Sequence, residues 1–277
     1  MKQPSVAYQG IPGSFSFLAM QGYFNTEVEG VGHKSFQDIF KSLSSGKVDY
    51  AIVPLENSLA GSIYDIYDLL WEHDCFAIGE HYYKVEHCLL GLANSVDKVK
   101  RVYSHPKALE QCGKFLDNYP DIEKIALAST ADSAKYVAET LDPLLAAIAA
   151  KEAAELYNLK VLKFNLEDNP LNYTRFLILS ASNKTVSSAD KCSVIFTLPH
   201  EPQSLLKAMQ AIAEKTINIT KIESRPIHGK PFEYVFYIDV EYDSMRPELI
   251  ETTLALFREK TNSYKVLGFY RKGRSPC

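Results

Sequence analysis

The five consecutive residues Asn172 to Phe176 (Asn-Tyr-Thr-Arg-Phe) combine a hydroxyl, a permanent cation and an aromatic ring. They lead into the apolar run 176–179, which is typical of a short buried strand. Because side chains alternate on an extended backbone, Thr174 and Phe176 should share one face and Arg175 the other. Such a strand edge can anchor an anion through the guanidinium and hold an alcohol donor beside an apolar surface. Taken alone, the same residues would also fit a strand start with a solvated arginine.

Polar side chains recur at the points where predicted strands end and helices begin. The residues concerned are Ser14, Asn57 with Ser58, Ser104 and Thr130. A helix N-terminus presents free N–H groups and the positive end of the helix dipole, so several around one cleft would suit a small polycarboxylate. Helix capping alone also explains each residue, and the pattern leaves both interpretations open.

Composition narrows the class of protein. The 277 residues suffice for about two domains, and 46% hydrophobic with 23% charged residues is typical of a globular protein. A net charge of −4 gives no basic face for nucleic acid, and no apolar run reaches the length of a membrane span. The first residues lack the basic and apolar pattern of a signal peptide. We therefore expect neither nucleic acid nor membrane as a partner.

Cysteine and histidine usage indicates a reducing compartment and no metal centre. The five cysteines are scattered without a Cys-x-x-Cys pair, which predicts free thiols in a cytoplasmic protein. The seven histidines show no metal-ligand spacing. The pairs Glu80-His81 and Glu86-His87 are interpreted as surface or internally satisfied polar residues. We expect no metal and no cofactor.

The order of predicted elements indicates a two-lobed α/β domain over residues 1–182. Strands alternate with helices, which favours mostly parallel sheets. The strand-rich stretch 75–92 leads from one lobe into another, and the strand beginning at Thr174 returns to the first. These crossings place a cleft between lobe 1, about 1–78 and 166–182, and lobe 2, about 79–165. Such a cleft is a natural site for a small molecule.

The pattern changes after residues 183–190, which are polar and aperiodic and are interpreted as a linker. Residues 191–277 carry strands and helices in the order βαββαβ, the ferredoxin-like plan. The segment 233–241 has apolar side chains at every second position, as expected for a strand covered on one face. A second, smaller domain is therefore predicted.

Six short motifs, in sequence order, make the chain resemble the family of prephenate dehydratases and the related arogenate dehydratases with a C-terminal ACT regulatory domain. The motifs are Gly10–Ser16, Val53–Gly61, Ser104–Cys112, Ser129–Ala131, Asn172–Phe176 and Lys221–Pro226. The resemblance runs nearly end to end and implies a periplasmic-binding-protein-like catalytic domain with an interlobe cleft. It also implies a carbon–oxygen lyase of phenylalanine biosynthesis that converts prephenate to phenylpyruvate, arogenate to phenylalanine, or both.

The resemblance assigns roles to residues of the expected cleft. Removing carbon dioxide and hydroxide from a cyclohexadienyl diacid needs a donor to the leaving hydroxyl, a poorly solvated departing carboxylate and an anchor for the other carboxylate. By resemblance, Thr174 is the donor, Phe176 the apolar wall and Arg175 the anchor. The remaining catalytic positions are Glu56, Asn57 and Gln111, and the remaining substrate-binding positions are Ser14, Ser58, Ser104 and Thr130.

Two chemical questions follow from this assignment. A free alcohol is a poor Brønsted acid, so Thr174 is expected to act as a positioned hydrogen-bond donor or to relay a proton from a neighbour such as Glu56. The two substrates differ by a keto group against an ammonium group, and Asp132 is a candidate for recognising the ammonium. The preference between prephenate and arogenate stays open.

The same resemblance implies that the C-terminal domain binds L-phenylalanine between subunits of a homodimer or homotetramer and lowers activity. The expected ligand residues are Glu223, Ser224, Arg225 and Pro226, with Ser204 and Leu205 in the partner loop. Gln203 departs from the family pattern, which has glycine there. Glycine lets the backbone approach the amino acid closely, so weaker binding of phenylalanine is expected.

Two other classes of protein share some of these features. A non-catalytic two-lobed receptor for an amino acid or diacid would have the same cleft, but it would not need Thr174 beside Phe176. A serine hydrolase would use Ser104 and His105. Adjacent residues form a nucleophile–base pair with difficulty, and the chain lacks a Gly-x-Ser-x-Gly elbow, so the sequence disfavours this class.

Overall fold

The computed structural model describes residues 3–25, 27–184, 186–213, 217–227 and 229–274. These residues form three β-sheets with helices packed against them. Two sheets belong to two lobes of the N-terminal part, and the third forms a C-terminal domain. None of the described helices is long and apolar enough to cross a membrane. The predicted fold class, a two-lobed α/β domain followed by a ferredoxin-like domain, is confirmed.

The first lobe is a sheet with helices on both faces. Its strands are β1 (Ser5–Gln9), β2 (Glu29–His33), β3 (Tyr50–Asn57), β4 (Gly61–Ser62), β5 (Phe76–Lys84) and, from later in the chain, β11 (Tyr173–Ser180). Its helices are α1 (Phe15–Phe24), α2 (Phe36–Ser44) and α3 (Tyr64–Glu72). The order is β2-β1-β3-β11-β5, with β4 paired to β3. The strand β1 is parallel to β2 and β3, whereas β11 is antiparallel to β3 and β5.

Helix α2 shows how local sequence determines an element of this lobe. Ser35 caps the helix, because its hydroxyl accepts a hydrogen bond from the Asp38 N–H at 3.2 Å. Ile39, Phe40 and Leu43 form a stripe at helical spacing, and all three are buried against the sheet. A capping serine followed by apolar residues at helical spacing thus determines where α2 begins and which face it buries.

The second lobe is a smaller sheet inserted between β5 and β11. Its strands are β6 (Cys88–Gly91), β7 (Arg101–Ser104), β8 (Glu123–Ala126), β9 (Leu145–Ala149) and β10 (Lys160–Lys163). Its helices are the 3₁₀ turn Val96–Lys98, α4 (Pro106–Gln111), α5 (Gly113–Asp117), α6 (Thr130–Thr140) and α7 (Glu152–Leu156). The strand order is β10-β6-β9-β7-β8.

The lobe boundary and the sheet type differ from the sequence-based expectation. The strand β5, which ends at Lys84, belongs to the first sheet, so the chain crosses at 85–87 rather than near 79. Each sheet is mixed, because β11 in the first lobe and β6 and β10 in the second run antiparallel to their neighbours. Alternation of strands and helices along the chain predicts the parallel pairs. It does not predict the antiparallel pairs, which arise because the strands that connect the two lobes enter and leave a lobe in opposite directions.

The C-terminal domain has the predicted βαββαβ order. Its elements are β12 (Lys191–Thr197), α8 (Ser204–Ala213), β13 (Asn218–Pro226), β14 (Tyr234–Glu241), α9 (Pro247–Arg258) and β15 (Ser263–Tyr270). The sheet order is β13-β14-β12-β15. One face of the sheet packs on α8 and α9, and the other joins the core of the first lobe beside α3. Residues 214–216, which follow α8, lie outside the described residues.

Four of the five cysteines lie in the described part of the chain. Cys75, Cys88, Cys112 and Cys192 are buried and unpaired, as predicted. Burial raises the pKa of Cys75 and of Cys88 to about 11, so both thiols are neutral near pH 7. Cys277 lies outside the described residues.

A buried cluster of charges joins the first lobe to the C-terminal domain. The guanidinium of Arg175 on β11 lies 2.7 Å from Glu80 and 2.5 Å from Asp239. Lys191 Nζ lies 3.1 Å from the other oxygen of Glu80, and all four residues are buried. Burial by itself would raise the pKa of Asp239, but the charges of Arg175 and Lys191 outweigh it and hold that pKa below its ordinary value. Two cations are thus balanced by two anions between the domains.

Replacing Asp239 by asparagine should destabilise the protein by about 3 kcal/mol at pH 7, because two buried cations then face a single buried anion. In the wild type, the contribution of this carboxylate is present above the ordinary Asp pKa of about 3.9 and is lost as the pH falls through the lower folded-state pKa. The variant should therefore lose less stability than the wild type on acidification. Urea unfolding at several pH values measures both effects.

The exposed Asp243, whose carboxylate accepts a hydrogen bond from the Met245 N–H in a turn of the same domain, supplies the control. Asp243→Asn keeps an oxygen acceptor and should change stability by less than about 0.5 kcal/mol. Equal unfolding free energies for Asp239→Asn and the wild type would contradict the proposed charge balance.

Candidate active site

The facing ends of β3 and β11 form the centre of the candidate site. Thr174 lies directly opposite Asn57 in this antiparallel pair. The register shifts immediately afterwards, so that Phe176 lies opposite Pro54 and Leu55 is skipped. Proline has no N–H to donate to the ladder, and a bulge beside it re-aims the residues at the strand end. The sequence at the end of β3 thus determines where the Asn57 side chain points.

The side-chain amide of Asn57 has one orientation that suits its neighbours. Its Oδ1 accepts hydrogen bonds from the backbone N–H groups of Leu59 (3.0 Å) and Ala60 (2.9 Å). Its Nδ2 therefore faces β11 and donates to Thr174 Oγ1 (3.0 Å) and to Asn172 Oδ1 (2.8 Å). Thr174 Oγ1 is an acceptor in this bond, and no described residue accepts its proton. The Thr174 O–H is consequently free to donate to a ligand.

The hydrogen bonds continue from the first lobe into the second. Asn172 Nδ2 donates to Gln111 Oε1 at 3.1 Å, and the Nε2 atom of His87 lies 3.2 Å from the same oxygen. Because Gln111 Oε1 is already an acceptor, the network assigns the Nε2–H tautomer to His87. The Gln111 amide then has N–H groups that no described residue accepts. Asn57, Thr174, Asn172, Gln111 and His87 thus form one polar chain across both lobes.

His87 is the member of the polar chain that sequence reasoning missed. The ring is 2% exposed and packs edge-on against Phe15, with 5.4 Å between ring centroids. Its Nδ1 is buried and has no hydrogen-bond partner among the described residues. Burial lowers the pKa of His87 despite opposing effects of Gln111 and Glu167, so the ring is neutral near pH 7. No spacing signals the contact, because its partner lies 24 residues away along the chain.

Phe176 supports the site without lining it. It shares a face of β11 with Thr174, as strand alternation predicts. Its ring is only 1% exposed, however, and belongs to the core beneath α1. This burial does not support the predicted role of Phe176 as the apolar wall of the cleft. Phe15, which packs against His87, also lies near Tyr83, with 6.3 Å between the ring centroids of Phe15 and Tyr83.

Glu56 and Arg175 point to the opposite face of the sheet from Thr174. The Glu56 carboxylate lies 3.3 Å from Arg175 Nη1 and 2.5 Å from Lys221 Nζ of the C-terminal domain. Arg175 is 3% exposed and is held in the buried interdomain cluster. This geometry does not support the predicted anchoring of a substrate carboxylate by Arg175. It also gives Glu56 no contact through which to relay a proton to Thr174.

Ser14 and Ser58 hold backbone segments in place at the edge of the site. Ser14 caps α1, because its hydroxyl accepts from the Phe17 N–H at 3.3 Å. Ser58 accepts from the Tyr173 N–H at 2.9 Å and donates to the Leu171 carbonyl at 2.8 Å. These contacts tie the segment after β3 to the start of β11. The structure thus uses both hydroxyls for local contacts, and their predicted contact with substrate is untested.

Ser104 and Thr130 lie at strand–helix junctions of the second lobe. Ser104 is fully buried and donates to the Ile148 carbonyl at 2.6 Å, and this contact does not support its predicted role in binding substrate. The His105 ring accepts from the Lys107 N–H at 3.2 Å instead of contacting Ser104, which also removes the serine-hydrolase interpretation. Thr130 is the first residue of α6, where the capping hydroxyl belongs to the preceding serine.

The two lobes meet at the glycine-containing turn after β1. The Tyr157 hydroxyl, just after α7, donates to the Pro12 carbonyl at 2.6 Å. Gly13 has φ +86°, and an added Cβ would lie 3.3 Å from Leu156. Burial raises the pKa of Tyr157, and the nearby Asp132 in the first turn of α6 raises it further. The segment after α7 in the second lobe thus contacts the turn that precedes α1 in the first lobe.

A cavity of about 410 Å³ lies in the C-terminal domain, between the loop before α8 and the start of β14. Its lining includes residues 197–202 together with Ser204, Leu205, Glu233, Tyr234 and Phe236. Gln203, between the lining residues of the loop, has φ +70°. This is the left-handed conformation that glycine adopts without strain. Gln203 therefore has a backbone conformation that suits glycine and that its own side chain disfavours.

The predicted ligand motif on β13 is divided between two faces of the sheet. Ser224 pairs with Phe236 and Pro226 with Tyr234, so these two residues lie beside the cavity wall. Arg225 instead forms a bidentate ion pair with Asp68 on α3 and stacks on Tyr64.

Glu223 likewise faces the first lobe, where its carboxylate accepts from the Ser62 hydroxyl at 2.5 Å. This arrangement does not support the expectation that Glu223 and Arg225 contact the same ligand as Ser224, because alternate residues of a strand face opposite ways.

Comparison with known proteins gives a consistent result. A family model described as prephenate dehydratase matches residues 6–184. The bifunctional chorismate mutase/prephenate dehydratase of Enterobacter agglomerans is 35% identical over 274 residues, which cover 96% of this chain and 70% of that protein.

Two solved structures resemble this chain over nearly its whole length. The prephenate dehydratase of Arthrobacter aurescens in complex with L-Phe has a TM-score of 0.86 and 26% identity, covering 96% of this chain and 89% of that one. A protein called GqqA, described as a novel type of quorum quenching acylase, has a TM-score of 0.88 and 31% identity, covering 98% of each chain.

The polar chain predicts an unusual titration of His87. Because burial disfavours the imidazolium, the His87 ring should titrate below the ordinary value of about 6.5 and carry its proton on Nε2 when neutral. Nitrogen NMR of the imidazole side chains measures both properties, and the spectrum of His87→Gln identifies the His87 signals. A ring that titrates at or above about 6.5, or that carries its proton on Nδ1, would contradict the assigned network.

Proposed function

Because the chain belongs to the prephenate dehydratase family, we propose that its polar chain removes carbon dioxide and water from prephenate to give phenylpyruvate. The observation that carries this proposal is the hydrogen bond from Asn57 Nδ2 to Thr174 Oγ1 at 3.0 Å. Because Thr174 Oγ1 accepts this bond, the Thr174 proton is left to be donated to the substrate. A hydroxyl fixed in this way can donate to the oxygen that leaves the substrate ring.

The reaction needs a donor at one end of the substrate ring and little stabilisation of charge at the other. The bond from the ring to the departing carboxylate breaks, and its electron pair moves through the ring and expels the hydroxyl group. Thr174 stabilises the charge that develops on the leaving oxygen, which takes its proton from solvent to become water. The polar chain contains amides, a hydroxyl and a neutral imidazole. Such neutral groups do not form the tight ion pair that would oppose loss of the carboxylate charge.

The second carboxylate of the substrate needs an anchor other than Arg175. The Gln111 amide supplies free N–H groups on the second lobe side of the polar chain. The starts of α1 and α6, marked by Ser14 and Thr130, present the positive ends of two helix dipoles. We assign the anchoring role to these groups together.

Arogenate is the second candidate substrate, because it differs from prephenate only in its side chain and undergoes the same reaction at the ring. Asp132, the candidate for recognising its ammonium group, accepts from the Ser129 hydroxyl at 2.6 Å and completes the cap of α6. A carboxylate engaged in a cap is poorly placed to bind ammonium, which favours prephenate. Measuring kcat/KM for both substrates on one enzyme preparation decides the preference, and failure to convert either would favour a receptor.

Regulation by L-phenylalanine is proposed for the C-terminal domain, which we interpret as an ACT domain. The cavity lined by Ser204 and Leu205, with Ser224 and Pro226 beside its wall, is the proposed site. The L-Phe complex of the Arthrobacter aurescens relative supports the ligand class.

An open edge of the C-terminal sheet supports association of two chains. The strand β13 lies at the edge of the sheet, and its Ile222 is 48% exposed. Leu206 on α8 is 56% exposed. An uncovered edge with apolar neighbours is suited to pairing with a second copy, so we propose a homodimer, or a homotetramer built from two dimers.

Replacing Thr174 by alanine should lower kcat for prephenate by about 10²- to 10³-fold, because one preorganised donor to the leaving oxygen is lost. Thr174→Ser keeps the hydroxyl and should retain most of the activity. Initial rates of phenylpyruvate formation measure both variants. A wild-type kcat for Thr174→Ala would exclude the proposed role of this hydroxyl.

Replacing Gln203 by glycine should lower the concentration of phenylalanine that gives half inhibition by several-fold. The change removes a side chain from a left-handed backbone position, where it costs about 1 kcal/mol or more, and lets the loop approach the amino acid. Titration of phenylalanine against initial rate measures the effect. An unchanged or raised half-inhibitory concentration would contradict the assigned loop.

A further inference from the structure

The short hairpin 56–62, formed by the end of β3 and by β4, is held from two sides. On the cleft side, the Asn57 amide bridges the turn to Asn172 and Thr174. On the opposite side, Lys221 and Glu223 on β13 of the C-terminal domain contact the hairpin. Asn57, whose amide orients the proposed donor Thr174, therefore lies in a hairpin that is placed between two domains.

Lys221 makes the central contact on the C-terminal side. Its Nζ lies 2.5 Å from Glu56 Oε2 and donates to Ser62 Oγ at 3.1 Å. The Ser62 hydroxyl in turn donates to Glu223 at 2.5 Å, and Glu223 lies 3.8 Å from Lys221 Nζ. A lysine ammonium has three protons and no acceptor, so these three oxygens fix its position. The Lys221 side chain is only 15% exposed.

These contacts join both strands of the hairpin. Glu56 pairs with Ser62 and Asn57 with Gly61 in the β3–β4 ladder. Lys221 therefore binds both members of the pair next to Asn57. The other oxygen of Glu56 is bound by Arg175 at 3.3 Å, so each carboxylate oxygen has its own cation. If Lys221 were removed, Glu56 would keep one cation, and Ser62 would lose its donor.

We propose that Lys221 is a positioning residue of the active site, through which the C-terminal domain fixes the hairpin and hence the Asn57 amide. This inference rests on the proposed dehydratase function. Loosening the hairpin would let the Asn57 Oδ1 leave the backbone N–H groups of Leu59 and Ala60. The Nδ2 would then no longer hold Thr174 Oγ1 as an acceptor. Small displacements of a catalytic group reduce the rate steeply, even when the altered residue does not touch the substrate.

The test compares Lys221→Met with the wild type and with Lys230→Met, which removes an exposed lysine of the same domain. For Lys221→Met we expect kcat for prephenate to fall about tenfold or more and KM to change by less than about threefold, because no substrate contact is removed. Lys230→Met should leave both parameters unchanged. Lys221→Arg keeps the charge and should recover part of the lost kcat.

Hydrogen exchange gives a second measurement that does not depend on activity. In Lys221→Met, the backbone amides of Leu59 and Ala60 should exchange at least about fivefold faster, whereas the amide of Ile178 at the centre of β11 should not change. If Lys221→Met does not fold, Ser62→Ala, which removes only the shared hydroxyl, is judged by the same exchange rates.

Unchanged kcat together with unchanged exchange at Leu59 and Ala60 would overturn the inference. Loss of kcat with unchanged exchange at both amides would overturn it too, since Lys221 would then act by another route. A wild-type enzyme that does not convert prephenate would refute the proposed function, and the exchange rates would still decide whether Lys221 positions the hairpin.

Discussion

A single strand with side chains on alternate faces governs how this molecule is built. Thr174 on β11 faces the cleft, and the next residue, Arg175, faces the C-terminal domain, where it lies between Glu80 and Asp239. A buried guanidinium is stable only with both carboxylates in place, so the domains are joined at the point where the candidate site is formed. The position of the donor hydroxyl therefore depends on an ion cluster one residue away.

The same alternation places the ion-paired side chains and the neutral groups of the candidate site on opposite faces of the sheet. The groups gathered around Thr174 are two asparagine amides, a glutamine amide and a neutral imidazole. On the other face of the sheet, the carboxylates of Glu56 and Glu80 bind Arg175, Lys191 and Lys221. A reaction in which a carboxylate loses its charge is favoured by such a separation, because a cation beside that carboxylate would stabilise the starting state.

In the C-terminal domain, the side chains of β13 also alternate between two faces with different contacts. Ser224 lies beside the proposed phenylalanine cavity, while its neighbours Glu223 and Arg225 contact the hairpin and α3 of the first lobe. One strand thus has a face towards the regulatory cavity and a face towards the catalytic lobe. Because β13 also carries Lys221, a change in its position would reach Asn57 through two contacts.

Local patterns in the sequence were enough to determine the order of elements, the ferredoxin-like domain, the cap and stripe of α2, and the closeness of Asn57, Thr174 and Gln111. These features follow from periodicity, from capping residues and from family motifs, which are properties of short segments. The sequence did not determine which groups Glu56 and Arg175 contact, how Ser104 is used, or that His87 joins the site. Those outcomes depend on which strand pairs with which and on a bulge opposite Pro54. Tertiary structure decided them, because burial and charge pairing act between residues that are far apart along the chain.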